Sequence, residues 1–143
     1  MLQTFTLYVI GRIHNRDDSA WIEIEAPYRD AMMGLEEFSH IHVLYWFHEN
    51  DTPEGRSVLQ VHPCRNLNNP LTGVFATHSP MRPNLIALTR CRILKTDDLI
   101  IYIDAIDARD GSPLLDIKSY FPPDTGENEV AVPKWRLRPT GAG

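Results

Sequence analysis

The run Phe38–His48, FSHIHVLYWFH, constrains the fold of this chain most. Ile41, Val43, Tyr45 and Phe47 alternate with His40, His42, Leu44, Trp46 and His48. Side chains on a strand point to opposite faces in turn, so the run predicts a central strand with one apolar face. Shorter stretches read the same way. Phe5–Ile13 is apolar and β-prone and predicts the first strand, in which Gly11 marks a bulge or a close backbone approach. Asn15–Ser19 is a turn, and Trp21–Glu25 predicts a second strand antiparallel to the first. Arg56–His62, Gly73–Ala76, Leu85–Lys95, Leu99–Ile106 and Leu114–Ile117 predict further strands, with Glu49–Gly55 and Cys64–Pro70 as loops. Tyr28–Leu35 has no β-branched residue and predicts a short helix. Asp110–Gly111 reads as a hairpin turn and Asp124–Glu129 as an acidic loop. Many short strands separated by turn signals predict a mainly β chain. The expected architecture is a single small β-barrel with short helical and loop insertions, one domain over residues 1–143.

Length and composition fit that reading. A chain of 143 residues, 43% hydrophobic and 23% charged, is ordinary for one soluble domain with a real core. No apolar run is long enough to cross a bilayer, and the N-terminus lacks the basic and small-residue signals of a secretory leader. Cys64 and Cys91 are too few for a disulfide framework and read as free thiols in a reducing cytoplasm. The formal net charge of −5 argues against strong, sequence-independent nucleic-acid binding, and no DNA or membrane partner is expected. A local basic site stays open: Arg82, Arg90, Arg92, Lys95 and Lys118 lie in the second half, and Lys134, Arg136 and Arg138 near the end.

The chemistry-bearing stretch is GVFATHSPMRPNLIALT, Gly73–Thr89. Pro80 and Pro83 fix φ at their own positions and push the preceding residues toward extended geometry. A stiff loop carrying hydroxyls, an imidazole, a guanidinium and an amide is suited to holding a polar ligand at low entropic cost. A second stretch, DAIDARDGSPLLDIKSY, brings Asp104, Asp107, Asp116, Lys118 and Tyr120 around one turn. Asp116 and Lys118 are two apart, so on a strand they share a face; they orient a polar ligand or form an exposed ion pair. Other chemistries lack their signatures. No Gly-rich fingerprint follows a strand, no Walker loop is present and the βαβ alternation of a doubly wound sheet is missing. Ser79 before a proline is not a nucleophile elbow. His40, His42 and His48 share a strand face, with His62, Cys64 and His78 elsewhere, but no carboxylate or cysteine set completes a metal pattern, and no metal is expected.

Phe38-Ser39-His40-Ile41, Tyr45-Trp46-Phe47-His48, His62-Pro63, GVFATHSPMRPN and the run from Asp110-Gly111 to Tyr120 together resemble the TsaA-like, or TrmO, family, over about Ile10 to Tyr120. The resemblance implies a β-barrel that binds S-adenosylmethionine as a homodimer. It implies methyl transfer to the exocyclic nitrogen of N6-threonylcarbamoyladenosine beside a tRNA anticodon. It also implies residue roles: cofactor contacts from Thr77, His78, Ser79, Arg82 and Asn84, with backbone groups near Leu115, and an acceptor side lined by Asp116, Lys118 and Tyr120. Asp116 and His78 are the two candidates for the base. The chain departs from the family pattern at His78, usually Arg, at Leu85-Ile86-Ala87, usually Pro-Ile-Gly, and at Ser119, usually Pro. An Arg at position 78 would carry a permanent, bidentate charge, whereas a His is charged only when protonated. Little chain lies between His14 and Trp21 for an extra RNA-contacting loop. Two rivals accompany the tRNA methyltransferase reading: a non-enzymatic S-adenosylmethionine-binding sensor, and a methyltransferase for a small molecule or protein.

Overall fold

The computed structural model describes residues 2–122 and 129–137, so the acidic stretch predicted at Asp124–Glu129 and the basic tail beyond residue 137 lie largely outside the described residues. Six strands close into a barrel: β1 (Gly11–Arg16), β2 (Ser19–Ile24), β3 (His40–Trp46), β6 (Ile86–Asp97), β7 (Ile100–Ile103) and β8 (Ser112–Ser119). Their order around the barrel is β1-β2-β7-β6-β3-β8, every neighbouring pair antiparallel. A helix, α1 (Pro53–Ser57), and a two-stranded ribbon, β4 (Gln60–Val61) with β5 (Thr72–Gly73), form an insertion between β3 and β6.

The alternation read from the sequence sets the core. Ile41, Val43 and Tyr45 of β3 point inward and are buried, as are Ile13, Ile22, Ile24, Ala87, Cys91, Ile101, Ile103 and Leu114 from the other strands. Closure removes sheet edges, so the inward apolar set is shielded on every side. At Gly11 the backbone of β2 approaches β1 closely. A Cβ there would sit 2.3 Å from the carbonyl oxygen of Glu23, so the expected close approach is present. Gly11→Ala is expected to destabilise the barrel by about 1–3 kcal/mol through overpacking. Urea unfolding checks it; an unchanged midpoint would mean that the strands part there freely.

Several predicted elements differ, each for a local reason. Residues 2–10 form no strand: Ile10 donates to Leu114 and accepts from Glu25, and regular pairing begins at Gly11. Phe5 and Tyr8, 83% and 70% exposed, have strand character without a neighbouring strand, and β-propensity counts only where a partner surface exists. Tyr28–Leu35 folds as two 3-10 helices, Ala26–Met32 and Leu35–Glu37, interrupted by Gly34 at φ +89°. The loop and strand expected over Glu49–His62 give a 3-10 turn His48–Asn50, α1 and the two-residue β4 instead. Thr52 caps α1, its hydroxyl accepting from Gly55 N at 2.9 Å, and Pro53 occupies the first helical position. Gly73–Ala76 is strand only at Thr72–Gly73 and continues as the 3-10 turn Val74–Ala76. β7 ends at Ile103, so Asp104 lies outside it, its carboxylate accepting from Arg92 N and Ala105 N. Asp110-Gly111 turns, with Gly111 at φ +84°, but does not close a hairpin: β8 pairs with β1 and β3, while β7 pairs with β2 and β6. In β8 the register against β3 slips between Leu114 and Asp116, leaving Leu115 as the extra residue of a bulge. Among the described residues no helix is long and apolar enough to cross a membrane.

Candidate functional site

The Gly73–Thr89 stretch leads into β6, and its loop is held by its own side chains. The Thr77 hydroxyl donates to the carbonyl of Val74 at 2.9 Å and accepts from Ser79 N at 3.2 Å. The Ser79 hydroxyl in turn accepts from Met81 N at 3.2 Å. These are short side-chain turns of the kind Ser and Thr make with nearby backbone. Arg82 folds back into the loop. Nη1 donates to the carbonyls of Thr77 (3.1 Å) and Ser79 (3.2 Å), and Nη2 to that of Val74 (2.9 Å). Arg56 of α1 grips the far end, with Nε donating to the Pro83 carbonyl at 3.0 Å. The expected stiffness thus comes from two arginines as well as from two prolines.

Between this loop, the end of β3 and the connection from β7 to β8 lies a cleft of about 1230 Å³. Thr77, His78 and Ser79 line it, facing His48, Glu49, Asp107 and Arg109, with Tyr45, Trp46 and Phe47 at its side. The Glu49 carboxylate pairs with Arg109 Nε at 3.5 Å, both side chains being exposed. Asn15 on β1 fixes the opposite wall, its Nδ2 donating to the carbonyls of Ile106 and Ala108 at 2.9 Å each. A second hollow of about 700 Å³ adjoins it on the other side of the loop, lined by Arg82, Pro83, Asn84, Phe75, Ile86, Leu88 and Thr89. Thr77, His78, Tyr45, Phe47, Ala76 and Asp107 line both. Burial pushes the Tyr45 phenol above its usual range, the charge on Asp107 adds to that, and its hydroxyl pairs with Thr89 Oγ1 at 3.0 Å.

The structure gathers five of the sequence-predicted residues here: Thr77, His78, Ser79, Arg82 and Asn84. It does not bring the β8 set to them within one chain. Leu115 lines neither hollow, and Asp116 borders a third of about 410 Å³ with Ile10, Tyr28 and Trp135. Lys118 and Tyr120 lie beside β3, Lys118 opposite His42 and the Tyr120 ring 5.1 Å from that of His42. Asp116 and Lys118 share a face as expected, both exposed. Sequence reasoning weighed His48 only as a metal candidate and passed over Glu49 and Arg109. His48 carried a signal as the last residue of the alternating run, where β3 ends and the chain turns into the cleft. His40 and His42 lie on β3, whereas His62 and Cys64 line the cleft with His48. Among the described residues no group of three or more His, Cys, Asp or Glu is gathered as a metal site.

The two thiols are free and differ in setting. Cys64 is exposed on the cleft, whereas burial, with Asp104 nearby, pushes the Cys91 thiol up to about 12. The thiolate is the reactive form. One fast-reacting thiol is therefore expected in the folded protein at pH 8 and two after unfolding; two equally fast thiols in the folded state would contradict the burial of Cys91.

The chain has counterparts among known proteins. Residues 11–124 match the tRNA-methyltransferase O N-terminal domain. The chain belongs to this family. A probable S-adenosyl-L-methionine-binding protein of Pyrococcus horikoshii is 45% identical over 118 residues, 82% of this chain and 84% of that protein. The tRNA (adenine(37)-N6)-methyltransferase of Mus musculus is 46% identical over 91 residues, 64% of this chain and 20% of the mouse protein. A crystal structure of TrmO from Pseudomonas aeruginosa superposes with a TM-score of 0.64 at 26% identity, covering 88% of this chain and 60% of that one. The chain therefore corresponds to the TrmO barrel and spans less than two thirds of that structure.

Proposed function

We propose that this chain is an S-adenosylmethionine-dependent methyltransferase that acts on the N6 nitrogen of adenosine 37 in tRNA, with N6-threonylcarbamoyladenosine as the acceptor. The observation that carries the reading is the GVFATHSPMRPN loop lining a large cleft on a TrmO-family barrel. The donor set fits the cofactor. An amino-acid end carrying both charges finds Arg109 and Glu49, ribose hydroxyls find Asn15 and Ser79, and an adenine ring finds Tyr45, Trp46 and Phe47. When bound, S-adenosylmethionine supplies an already activated methyl group. The work left to the chain is to hold the acceptor nitrogen in line and to take its proton. Thr77, His78, Ser79, Arg82 and Asn84 stay in the proposed cofactor and loop machinery. His78 offers a charge only when protonated, where the family's Arg would offer a fixed one.

Within one chain the β8 set, Leu115, Asp116, Lys118 and Tyr120, lies away from the cleft, so an acceptor-side role for it requires a second copy. The exposed Phe5, Leu7 and Tyr8 support such a homodimer. A sensor that binds the cofactor without transferring its methyl group is the second reading. The match to a relative named only for S-adenosylmethionine binding, over 84% of its length, favours it. Nucleoside mass spectrometry of tRNA from cells lacking this protein separates the two. Loss of the N6-methyl mark from adenosine 37 is the expected result, and an unaltered mark would leave the sensor.

A further inference from the structure

We infer that the two hollows divide the reaction, donor in the larger and acceptor base in the smaller, and that Asp107 on their shared wall is the catalytic residue that takes the acceptor's proton; this rests on the methyl-transfer reading above. The hollows differ in chemistry. The larger one is lined by Asn15, Glu49, Ser79 and Arg109, which suit a zwitterion and a ribose. The smaller one carries Phe75, Ile86 and Leu88 with the amide of Asn84 and the hydroxyl of Thr89. Apolar walls with two polar groups suit a flat purine. A methyl group passing from one to the other crosses the wall that Tyr45, Phe47, Ala76, Thr77, His78 and Asp107 share.

Three of those six side chains titrate. Tyr45 is buried, bonded to Thr89, and pushed toward its protonated form, so it is no base. His78 and Asp107 are both exposed, but His78 rides on the loop. Asp107 is held from behind: the carbonyls on either side of it, Ile106 and Ala108, both accept from Asn15 Nδ2, and those two residues are buried. The backbone at 107 is thereby pinned while its side chain lines both hollows. Among the described residues no hydrogen bond or ion pair engages its carboxylate, and its charge is felt at Tyr45. Asp116, the carboxylate named from the sequence, borders a different hollow.

The step balances with no further reactant. The lone pair of the exocyclic nitrogen forms the N–CH3 bond while the S–CH3 bond breaks. The pair from the broken bond stays on sulfur as a neutral thioether, and the N–H proton passes to an Oδ of Asp107. The acceptor N6 is a urea-type N–H whose lone pair is delocalised into both the purine and the carbamoyl carbonyl, so it is a weak nucleophile and a positioned carboxylate contributes about 10²–10⁴-fold.

The test uses the full chain, S-adenosylmethionine and tRNA from cells lacking this protein. Asp107→Asn is nearly isosteric. It should bind S-adenosylmethionine within about twofold of wild type by calorimetry, and single-turnover methyl transfer should fall about 10²–10⁴-fold. Formate should restore part of the rate to Asp107→Ala and none to wild type. Leu88→Trp, at an exposed position of the smaller hollow, should weaken tRNA binding and leave S-adenosylmethionine affinity unchanged. A wild-type transfer rate in Asp107→Asn overturns the assignment, as does a rate loss fully matched by lost cofactor affinity. Weakened cofactor binding in Leu88→Trp with tRNA binding intact overturns the division of the hollows. A wild-type protein that methylates no tRNA sinks the methyltransferase reading itself, and this inference with it.

Discussion

Arg82→Ala is expected to weaken S-adenosylmethionine binding by about tenfold or more and to lower the melting temperature at the same time. Read from the sequence, Arg82 was a direct contact for a polar ligand group. The structure turns its guanidinium onto the carbonyls of Val74, Thr77 and Ser79. Hydrogen bonds from a charged donor contribute roughly 1.5–3 kcal/mol each, and deleting the donor strips this partner from the carbonyls of Thr77 and Ser79, whereas that of Val74 keeps Thr77 N and Oγ1. The loop that lines both hollows then loses its inner brace, while Arg56 still holds Pro83 from outside. The loss is therefore one of preorganisation: the ligand must order a loop that the wild type holds in place. Arg82→Lys should recover only part of the affinity, because a single ammonium cannot reproduce a planar fork that meets three acceptors. Calorimetry and thermal unfolding of both variants check this. Wild-type affinity in Arg82→Ala would mean that the prolines alone shape the loop.

Ala76→Trp is expected to abolish cofactor binding, by about 100-fold or more, with the melting temperature unchanged. Ala76 is exposed, belongs to the 3-10 turn Val74–Ala76 and lines both hollows. An indole there occupies the wall that Ala76 shares between the hollows, at a position outside the buried core cluster. The two variants separate two mechanisms: Arg82→Ala removes a brace, whereas Ala76→Trp fills space. Retained affinity in Ala76→Trp, with the protein folded, would place the cofactor somewhere other than this cleft.

The barrel was legible because its strands keep one apolar face. The alternation in Phe38–His48 names the inward residues of β3 correctly, Ile41, Val43 and Tyr45 all being buried. Composition could not say where a strand finds a partner. Phe5–Ile10 and Arg56–Leu59 have strand-like residues, yet the first lacks a neighbour before Ile10 and the second is claimed by the Thr52-Pro53 start of α1. Nor could turn chemistry reveal that β8 crosses to β1 and β3 instead of returning beside β7. The site divided along the same line. The loop residues were legible because Pro80 and Pro83 mark a local structure that topology does not alter. His48, Glu49 and Arg109 reach the cleft only because barrel closure brings the end of β3 and the β7–β8 connection to the loop. Asp107 stood in the sequence as one acidic residue among several beside a turn. Its place on the wall depends on Asn15, more than ninety residues away in the chain, which pins the backbone on both sides of it.

Methyl transfer by the purified chain tests the central claim most directly. The protein is incubated with S-adenosylmethionine carrying a labelled methyl group and with tRNA from cells lacking it, and the tRNA is digested and read by nucleoside mass spectrometry. The account predicts label on the N6 nitrogen of adenosine 37, carried by the threonylcarbamoylated nucleoside, and none when Ala76→Trp replaces wild type. Saturable S-adenosylmethionine binding with no label in tRNA would contradict it and leave a cofactor-binding sensor.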